Sequence, residues 1–377
     1  MVMNTYQAQL DWAVSNGAEI NKKISRQAPD GIFGFYANDT INAGETLVKI
    51  PKSLAINHKA HDFPTNTSLT VRQVYASAKL LSDAANEKES ISLLMLEPLY
   101  ILEKLSTYFI SEKELKIIAE LSQTLANEIK KQNNETDAIL GALRDFDSTV
   151  DKDLYLRCIL NFKSRAIGKS GFIPIIEGFN HSSEYGDFFD SRNDYITAVA
   201  KKSCRPGEQV FISYGRLDMM THAVNYNYFD PSDSHFLNLS KRVEFIITNQ
   251  RERAMAEKLQ RNYKLTITRD AALLKYRINE PNIFFTEQGP SEELINLAIH
   301  MTSHNGEKCE ESARKYLLSL IQKMQKSNHV QDFSARYLPR RFKRFYHMLV
   351  KEQKLLGKLT NQISAKGPIF ALASNTQ

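Results

Sequence analysis

The chain has 377 residues, of which 42% are hydrophobic and 24% are charged. These fractions are near the averages of globular proteins, so wholesale disorder is excluded and the length suffices for two domains. No apolar run approaches the roughly 20 residues that cross a bilayer, and the N-terminus lacks the pattern of a secretory signal, so no membrane association is expected.

The net charge of +6 is unevenly distributed along the chain. Residues 1–240 contain 25 Lys and Arg against 30 Asp and Glu, a balance of −5, whereas residues 241–377 contain 24 against 13, a balance of +11. A basic C-terminal part can attract an acidic protein face, nucleic acid or an anionic membrane, or it can be a set of solvated helix faces. Its basic residues do not interleave with aromatics in a nucleic-acid motif, so no nucleic-acid partner is expected.

The three cysteines, Cys158, Cys204 and Cys309, are far apart and have no paired spacing. This pattern predicts neither a disulfide framework nor a zinc site, and it indicates a reducing compartment. We therefore expect a cytoplasmic protein without a metal, with nuclear entry or secretion into a host as alternatives.

The N-terminal part changes from a helical to a strand-like pattern. Apolar residues at helical spacing predict a helix over residues 6–16. The pair Asp30-Gly31 ends that pattern, and residues 32–56 form short apolar runs typical of strands. A turn is predicted between two of these strands at residues 43–45, which contain a glycine.

A helical block is predicted next, because residues 70–162 contain few Gly or Pro and are rich in Leu, Ala, Lys and Glu. Helical apolar spacing places helices at residues 92–105, 112–129 and 151–162. Strand signals return afterwards, with strands predicted at residues 195–200 and 209–214 and a Pro-Gly turn between them.

After residue 240 the pattern is helical again. It predicts four amphipathic helices, at residues 252–259, 292–301, 310–326 and 341–359. The order of strands, helices, strands and helices predicts an α+β fold. The strand-rich pieces, 31–57 and 164–214, are each too small to enclose a core, so they are expected to pack together with a helical insertion between them. An all-α domain then begins near residues 231–239.

Two clusters of residues in the strand-rich pieces are suited to binding. The first, residues 31–37, contains glycines that let a ligand approach the backbone. The second joins Arg165 to the run 174–181, so a guanidinium, a carboxylate, an amide and an imidazole lie in short Gly- and Pro-bounded stretches. A metal site is disfavoured because no second His or Cys stands at ligand spacing from His181. A serine hydrolase using Ser164 or Ser182 would need a nucleophile elbow, which is missing.

A third cluster surrounds Tyr214, which stands at the predicted end of a strand next to a glycine. A tyrosine in this place can direct its hydroxyl into a cleft, although a buried structural tyrosine is an equal alternative. Residues 226–228, Tyr-Asn-Tyr, follow closely.

Taken together, the clusters resemble the SET-domain methyltransferases, and more narrowly the branch typified by the Rubisco large-subunit lysine methyltransferases. Residues 31–51 resemble the opening Gly-rich strand of the family, and Ser164-Arg165 resembles its Ser-Arg pair. Residues 174–181 resemble the Pro-x-x-Asp-x-x-Asn-His signature, with a glutamate at the acidic place. Residues 213–215 resemble the terminal Tyr-Gly motif, and residues 226–228 occupy the place of the usual Tyr-Gly-Phe. The resemblance covers nearly the whole chain.

The resemblance implies a division into five parts. These are an N-terminal helical segment at 1–30, a first SET part at 31–70, a helical insertion at 71–163, a second SET part at 164–235 with the cofactor and catalytic motifs, and a helical substrate-binding domain at 236–377.

The resemblance also implies a role for each matching residue. Tyr214 would be the catalytic tyrosine. Arg165 would support the carboxylate of the methyl donor, S-adenosyl-L-methionine, because a planar guanidinium suits that group. The remaining residues would contact the donor by side chain or backbone: Gly31, Ile32, Phe33, Glu177, Gly178, Phe179, Asn180, His181, Tyr226, Asn227 and Tyr228.

The implied activity is transfer of a methyl group to a lysine of a protein substrate, which the C-terminal helical domain would dock. The enzyme is expected to act as a monomer and to need no metal. The lysine amine must arrive deprotonated, and a narrow apolar channel beside a sulfonium disfavours its charged form.

Two alternatives stay open at this point. One is methylation of histidine on the same fold; the apolar Ala166, Ile167 and Leu217 beside the motifs favour lysine. The other is a protein-binding module that has lost catalysis. That alternative is motivated by Ile32, Met219 and Asn227, which stand where relatives often have other residues.

Overall fold

The structure is a computed structural model of the chain. It describes residues 2–29, 33–56, 69–82, 99–167, 170–182, 185, 189–190, 194–214, 218–226, 229, 236–239, 245–246, 275–276, 283–302, 310–330, 333, 338–365 and 367–368. The chain divides into two compact units. The first unit is Met1–Phe109 with Lys131–Arg216, and the second is Ile110–Lys130 with Leu217–Gln377. The five-part division implied by the resemblance stays a prediction.

The first unit begins with one helix and four strands. They are α1 (Val2–Ser15), β1 (Glu19–Ile20), β2 (Ile24–Gln27), β3 (Gly34–Ala37) and β4 (Thr46–Pro51). The predicted helix over residues 6–16 is confirmed and begins earlier than expected. Strands β1 and β2 were not predicted, because two to four residues are too short to show an alternating pattern.

Four helices follow along the chain. They are α2 (Leu69–Ser82), α3 (Leu99–Leu105), α4 (Glu112–Leu121) and α5 (Gln123–Phe146). The single helix predicted over residues 112–129 is wrong: Ser122 has an extended backbone, and its Oγ accepts a hydrogen bond from the Leu125 amide. The chain therefore ends α4 and starts α5 at this serine. Of the helix predicted at 92–105, residues 92–98 lie outside the described residues.

Helix α6 (Lys152–Arg165) confirms the prediction for residues 151–162. Asp151 is its N-cap, and one of its carboxylate oxygens accepts hydrogen bonds from the amides of Asp153 and Leu154. These bonds satisfy two backbone donors that a helix start leaves without partners. Arg165 is the last residue of the helix, where a positive charge complements the helix dipole.

Two four-stranded sheets contain the remaining strands of this unit. The remaining strands are β5 (Asn180–His181), β6 (Phe189–Asp190), β7 (Tyr195–Val199) and β8 (Gln209–Ile212). The strand orders are β1-β4-β7-β6 and β2-β3-β8-β5. Strand β4 pairs antiparallel with β7, and β3 pairs antiparallel with β8. The prediction that the two distant strand-rich pieces pack together is therefore confirmed.

The turns predicted at residues 43–45 and 206–207 connect strands of different sheets and do not close hairpins. Apolar side chains of both sheets and of α1 form one core, which contains Ala13, Phe35 and Ile50. Helices α2, α5 and α6 contribute to a second core, which contains Val74, Leu143 and Tyr155.

The second unit includes α4 and is mainly helical. Its other elements are α7 (Met219–Asn225), β9 (Leu237–Asn238), β10 (Phe245–Ile246), β11 (Lys275–Tyr276), β12 (Phe284–Phe285), α8 (Glu292–Thr302), α9 (Glu310–Lys326) and α10 (Lys343–Ser364). Helices α8, α9 and α10 confirm three predictions; residues 252–259 lie outside the described residues. The strand pairs β9–β12 and β10–β11 were not predicted. No helix in the described part of the chain is long and apolar enough to cross a bilayer.

Asp218 is a buried N-cap that ties α7 to β9. Its Oδ1 accepts hydrogen bonds from the amides of Met220 and Thr221, at 3.0 and 3.2 Å, and its Oδ2 accepts one from the Asn238 amide at 2.9 Å. The side chain is only 3% exposed, so water cannot replace it easily.

Asp218→Ala is expected to lower the free energy of unfolding by about 3 kcal/mol, because three backbone donors lose a buried acceptor. Asp151→Ala, at the exposed cap of α6, is the control and should cost about 1 kcal/mol. Urea unfolding followed by far-ultraviolet circular dichroism measures both. Equal losses in the two variants would show that the burial of Asp218 is unimportant.

Candidate active site

Strand β8 brings together the segments that the sequence singles out. Strand β5 runs parallel to β8, with Asn180 opposite Phe211 and His181 opposite Ile212. Strand β3 runs antiparallel on the other side, with Phe35 opposite Val210. The carboxyl end of β8 therefore lies between the start of β3 and strand β5, and Tyr214 follows that end.

Tyr214 is fixed to His181 through its backbone and its ring. The Tyr214 amide donates to His181 Nδ1 at 2.9 Å, and the two rings stack with centroids 5.0 Å apart. Because Nδ1 accepts a hydrogen bond, the neutral imidazole carries its proton on Nε2. The His181 side chain is buried, so this contact holds the ring in one orientation.

The Tyr214 hydroxyl reaches the Glu177–Asn180 segment. It donates a hydrogen bond to the carbonyl oxygen of Phe179 at 2.7 Å. Phe179 is itself immobilised, because its ring is fully buried and stacks on Phe35 with centroids 4.2 Å apart. A Cβ atom added to Gly178 would lie 3.1 Å from the Phe35 ring, so the segment packs here without a side chain. The hydroxyl is thus anchored to rigid backbone.

Asn180 connects β5 to the start of β3. Its side-chain amide donates to the carbonyl oxygen of Phe33 at 2.8 Å. A Cβ atom on Gly34 would lie 2.0 Å from Nε2 of Gln209 and 2.8 Å from Nδ2 of Asn180, so an added side chain would displace the ends of both side chains. Gly31 and Ile32, which were predicted to contact the donor, lie outside the described residues.

Glu177 is a buried carboxylate in the same segment. Its Oε1 accepts a hydrogen bond from Gln9 Nε2 of α1 at 3.2 Å, and within the described part of the chain its Oε2 has no hydrogen-bond partner. Burial raises the pKa of Glu177, while the positive charges of Arg165 and Arg26 act in the opposite direction. The guanidinium predicted to serve the donor therefore also stabilises this carboxylate.

Ile175 has an unusual backbone conformation just before Glu177. Its φ and ψ are 71° and −49°, and the Ile176 amide donates to the Pro174 carbonyl at 2.9 Å, which makes a γ-turn. A β-branched residue with positive φ is strained by about 1–3 kcal/mol. The side chain is fully buried, so packing compensates for the strain. This turn leads directly into residues 177–181.

The predicted residues 226–228 belong to the second unit. Tyr226 follows the last turn of α7, and burial raises the pKa of its phenol. Asn227 and Tyr228 lie outside the described residues. Met219, one of the departures from the family pattern, is fully buried in the apolar core of this unit.

Several residues that contact the site were not predicted from the sequence. Gln9, Tyr6 and Arg26 surround Glu177 or Phe33: Gln9 donates to the carboxylate, and the Arg26 guanidinium lies 4.8 Å from the Phe33 ring centroid and 5.4 Å from that of Tyr6. One signal could have indicated Gln9, because it shares a helix face with Tyr6 and Ala13 at spacings of three and four. A polar residue on that buried face needs a buried partner.

The alternatives considered from the sequence, a serine nucleophile and a metal site, concern Ser164 and the cysteines. Ser164 Oγ bonds to the carbonyls of Leu160 and Asn161 in its own helix. Cys158 and Cys204 are buried free thiols, and no cluster of three or more metal-binding side chains occurs in the described ranges.

The two sheets and the helices inserted between their strands give the chain the fold of SET-domain proteins, as predicted. The chain is similar to a crystal structure of the SET domain of LSMT bound to lysine and AdoHcy. The alignment includes 96% of this chain and 91% of that chain, with 14% sequence identity and a TM-score of 0.66. It is also similar to a structure of Rubisco LSMT bound to AdoMet. That alignment includes 98% of this chain and 93% of that chain, with 14% sequence identity and a TM-score of 0.64. No protein-family model matches the chain, and no curated protein sequence matches it significantly.

Glu177→Gln is expected to be more stable than the native protein at neutral pH. A carboxyl with a raised pKa in the folded state contributes stability below its unfolded pKa of about 4.3, and this contribution is lost as the pH rises through the folded pKa. Glutamine resembles the protonated form and does not ionise. The advantage of the variant should therefore shrink as the pH falls to about 4, which thermal unfolding across this range measures.

Glu45→Gln is the matched control with the opposite sign. Hydrogen bonds from Asn21 and Lys23 lower the pKa of Glu45 to about 2. Its stabilising effect is present above the unfolded pKa and is lost as the pH falls towards about 2. The same dependence on pH for both variants would contradict the assignment for Glu177.

Proposed function

We propose that this protein is an S-adenosyl-L-methionine-dependent protein-lysine N-methyltransferase. The observation that carries the proposal is the anchoring of the Tyr214 hydroxyl on Phe179, next to Asn180 and His181. The fold supports it, because the similar structures include SET domains bound to AdoMet, to AdoHcy and to lysine.

The residues present fit the charges of this donor. Its methionine part has a carboxylate and an ammonium group. Arg165 offers a guanidinium for the first, and Glu177 has a buried carboxylate oxygen that lacks a partner among the described residues. Backbone of Gly31, Ile32 and Phe33, together with Gly178 to His181, would line the donor, and Tyr226, Asn227 and Tyr228 would close over its adenine.

When bound, the donor supplies an electrophilic methyl group whose C–S bond breaks as the amine nitrogen donates its electron pair to the methyl carbon. The protein contributes alignment. The Tyr214 O–H is directed to the Phe179 carbonyl, and a hydroxyl oxygen also has lone pairs that accept. We propose that this oxygen accepts a hydrogen bond from the lysine amine and so directs the nitrogen lone pair.

Lysine is favoured over histidine by the apolar residues that follow Arg165. Ala166 and Ile167 are half-buried and pack against the apolar cores of the first unit. An apolar lining disfavours a charged ammonium and so helps deliver the neutral amine. An imidazole would need polar partners that these residues do not provide. Mass spectrometry that locates the methylated side chain decides between the two.

The partner and setting of the enzyme belong to the same proposal. The substrate is a protein, docked by the C-terminal helical domain, and the enzyme acts as a cytoplasmic monomer. Methyl transfer from a sulfonium requires no metal. Incubation of the purified protein with labelled donor and cell lysates would identify the methylated protein.

Tyr214→Phe is expected to lower kcat for lysine methylation by roughly a hundredfold, because the amine loses the group that orients it. The fold should persist, since one hydrogen bond contributes about 1 kcal/mol. The control is Tyr195→Phe, which removes a hydroxyl from β7 but keeps the ring that lies under Lys49. Equal activity of the two variants would disprove the role of Tyr214.

Gly34→Ala is expected to weaken donor binding about tenfold or more, because the added Cβ displaces Asn180 from the Phe33 carbonyl. Gly141→Ala makes the same change in α5, where a Cβ meets no atom within 4 Å, and it should leave affinity unchanged. Calorimetric titration with S-adenosyl-L-methionine measures both. If the native protein shows no binding at millimolar donor, it is a binding module without catalysis.

A further inference from the structure

The second unit contains a cleft with a volume of about 380 Å³. The cleft is lined by Glu287 and by residues of α10, which are the basic His347, Lys351, Lys354 and Lys358 and the apolar Val350 and Leu355. This volume lies in the range of about 300–1,000 Å³ that ligand-binding clefts occupy. The methyl-transfer site described above uses none of these residues.

The basic residues follow one stripe of α10. His347, Lys351, Lys354 and Lys358 are spaced by four, three and four residues, which places them on the same helix face. From Lys351 to Lys358 the stripe is about 10 Å long, at about 1.5 Å per residue. The cleft therefore presents its positive charges in a row.

Most of this charge is not neutralised within the described part of the unit. Lys351 pairs with Glu287 at 3.7 Å, and its side chain is 15% exposed. Lys354 and Lys358 are exposed, and neither forms an ion pair with a carboxylate of the described residues. The sequence of residues 241–377 has a balance of +11.

Two apolar residues of α10, one on each side of the basic stripe, complete the lining from this helix. Leu355 is 3% exposed and belongs to the core of the unit, and Val350 is half-buried against the same core. A row of cations with an apolar side chain beside it matches a ligand that has both carboxylates and apolar side chains. A flat lipid surface or a nucleic-acid backbone would satisfy the lysines, but neither offers an apolar side chain to pack on Val350 within the cleft.

We propose that this cleft binds a short acidic segment of a partner protein, with Asp or Glu side chains on the lysines and an apolar side chain against Val350. The binding itself requires no methyl transfer. Its use in recruiting the protein that is methylated rests on the function proposed above.

Fluorescence anisotropy with a fluorescein-labelled peptide of alternating Glu and Leu tests the site in the full-length protein. Lys354→Glu with Lys358→Glu should weaken binding about tenfold or more, and added salt should weaken binding to the native protein. The matched control is Lys323→Glu with Lys326→Glu, the same charge change at exposed positions of α9 outside the cleft. It should change affinity by less than about twofold.

Two further peptides separate charge from shape. Replacing each Glu by Gln should abolish binding, and replacing each Leu by Ser should weaken it. The proposal is overturned if both charge-reversed proteins lose affinity equally, or if the Gln peptide binds as well as the Glu peptide. It is also overturned if phosphatidylserine vesicles or a single-stranded oligonucleotide bind with the same dependence on Lys354 and Lys358 while the peptide does not.

The peptide measurement contains no donor, so its outcome is independent of the methyl-transfer proposal. Calorimetric titration of the same preparations with S-adenosyl-L-methionine reports on that proposal separately. Peptide binding without donor binding supports the cleft and rejects the enzyme. Donor binding without peptide binding supports the proposed enzyme and rejects the peptide-binding cleft.

Discussion

The parallel pairing of β5 with β8 is the interaction on which the candidate site depends. It joins two segments about 30 residues apart, and the Ser182 amide extends the pairing by donating to the Ile212 carbonyl at 3.0 Å. With this register, the residue after Ser213 meets His181, and its hydroxyl meets Phe179. A shift of one residue would turn these side chains to the opposite face of the sheet and separate every group of the site.

The N-terminal helix α1 contributes to the same site, because its Gln9 is the hydrogen-bond partner of the buried Glu177 carboxylate. Gln9 is fully buried and supplies the hydrogen bond to Glu177, and Arg26 contributes positive charge from β2. Burial of an ionisable group is unfavourable unless polar partners accompany it. Helix α1 and the site therefore form one electrostatic unit, although α1 contains none of the motifs that identify the fold.

Strong periodic patterns made much of the fold predictable. Helix α9 has the predicted bounds, and β7 and β8 were expected from alternating residues between turn signals. The break at Ser122 was missed, because the apolar spacing on both sides continues and only a side-chain cap interrupts the helix. The two-residue strands of the second unit were missed because tertiary pairing alone creates them.

The motif residues of the site were predictable from the sequence, whereas their distant partners were not. The motifs predicted that Asn180, His181 and Tyr214 lie together, and the structure places them so. Gln9 and Arg26 were not assigned, since each lies more than 150 residues before Glu177 in the sequence and leaves only a weak local signal. Spacing along a sequence shows which residues share an element, but not which distant side chain faces them.

The γ-turn at Ile175 makes the shape of the following segment a property of the whole unit. An isolated peptide of residues 174–181 would avoid this conformation, because free chains rarely hold a β-branched residue at positive φ. Only the assembled core, which encloses the Ile175 side chain, keeps the turn in place. Substitutions that loosen the apolar contacts around Ile175 would therefore also disturb the shape of residues 177–181.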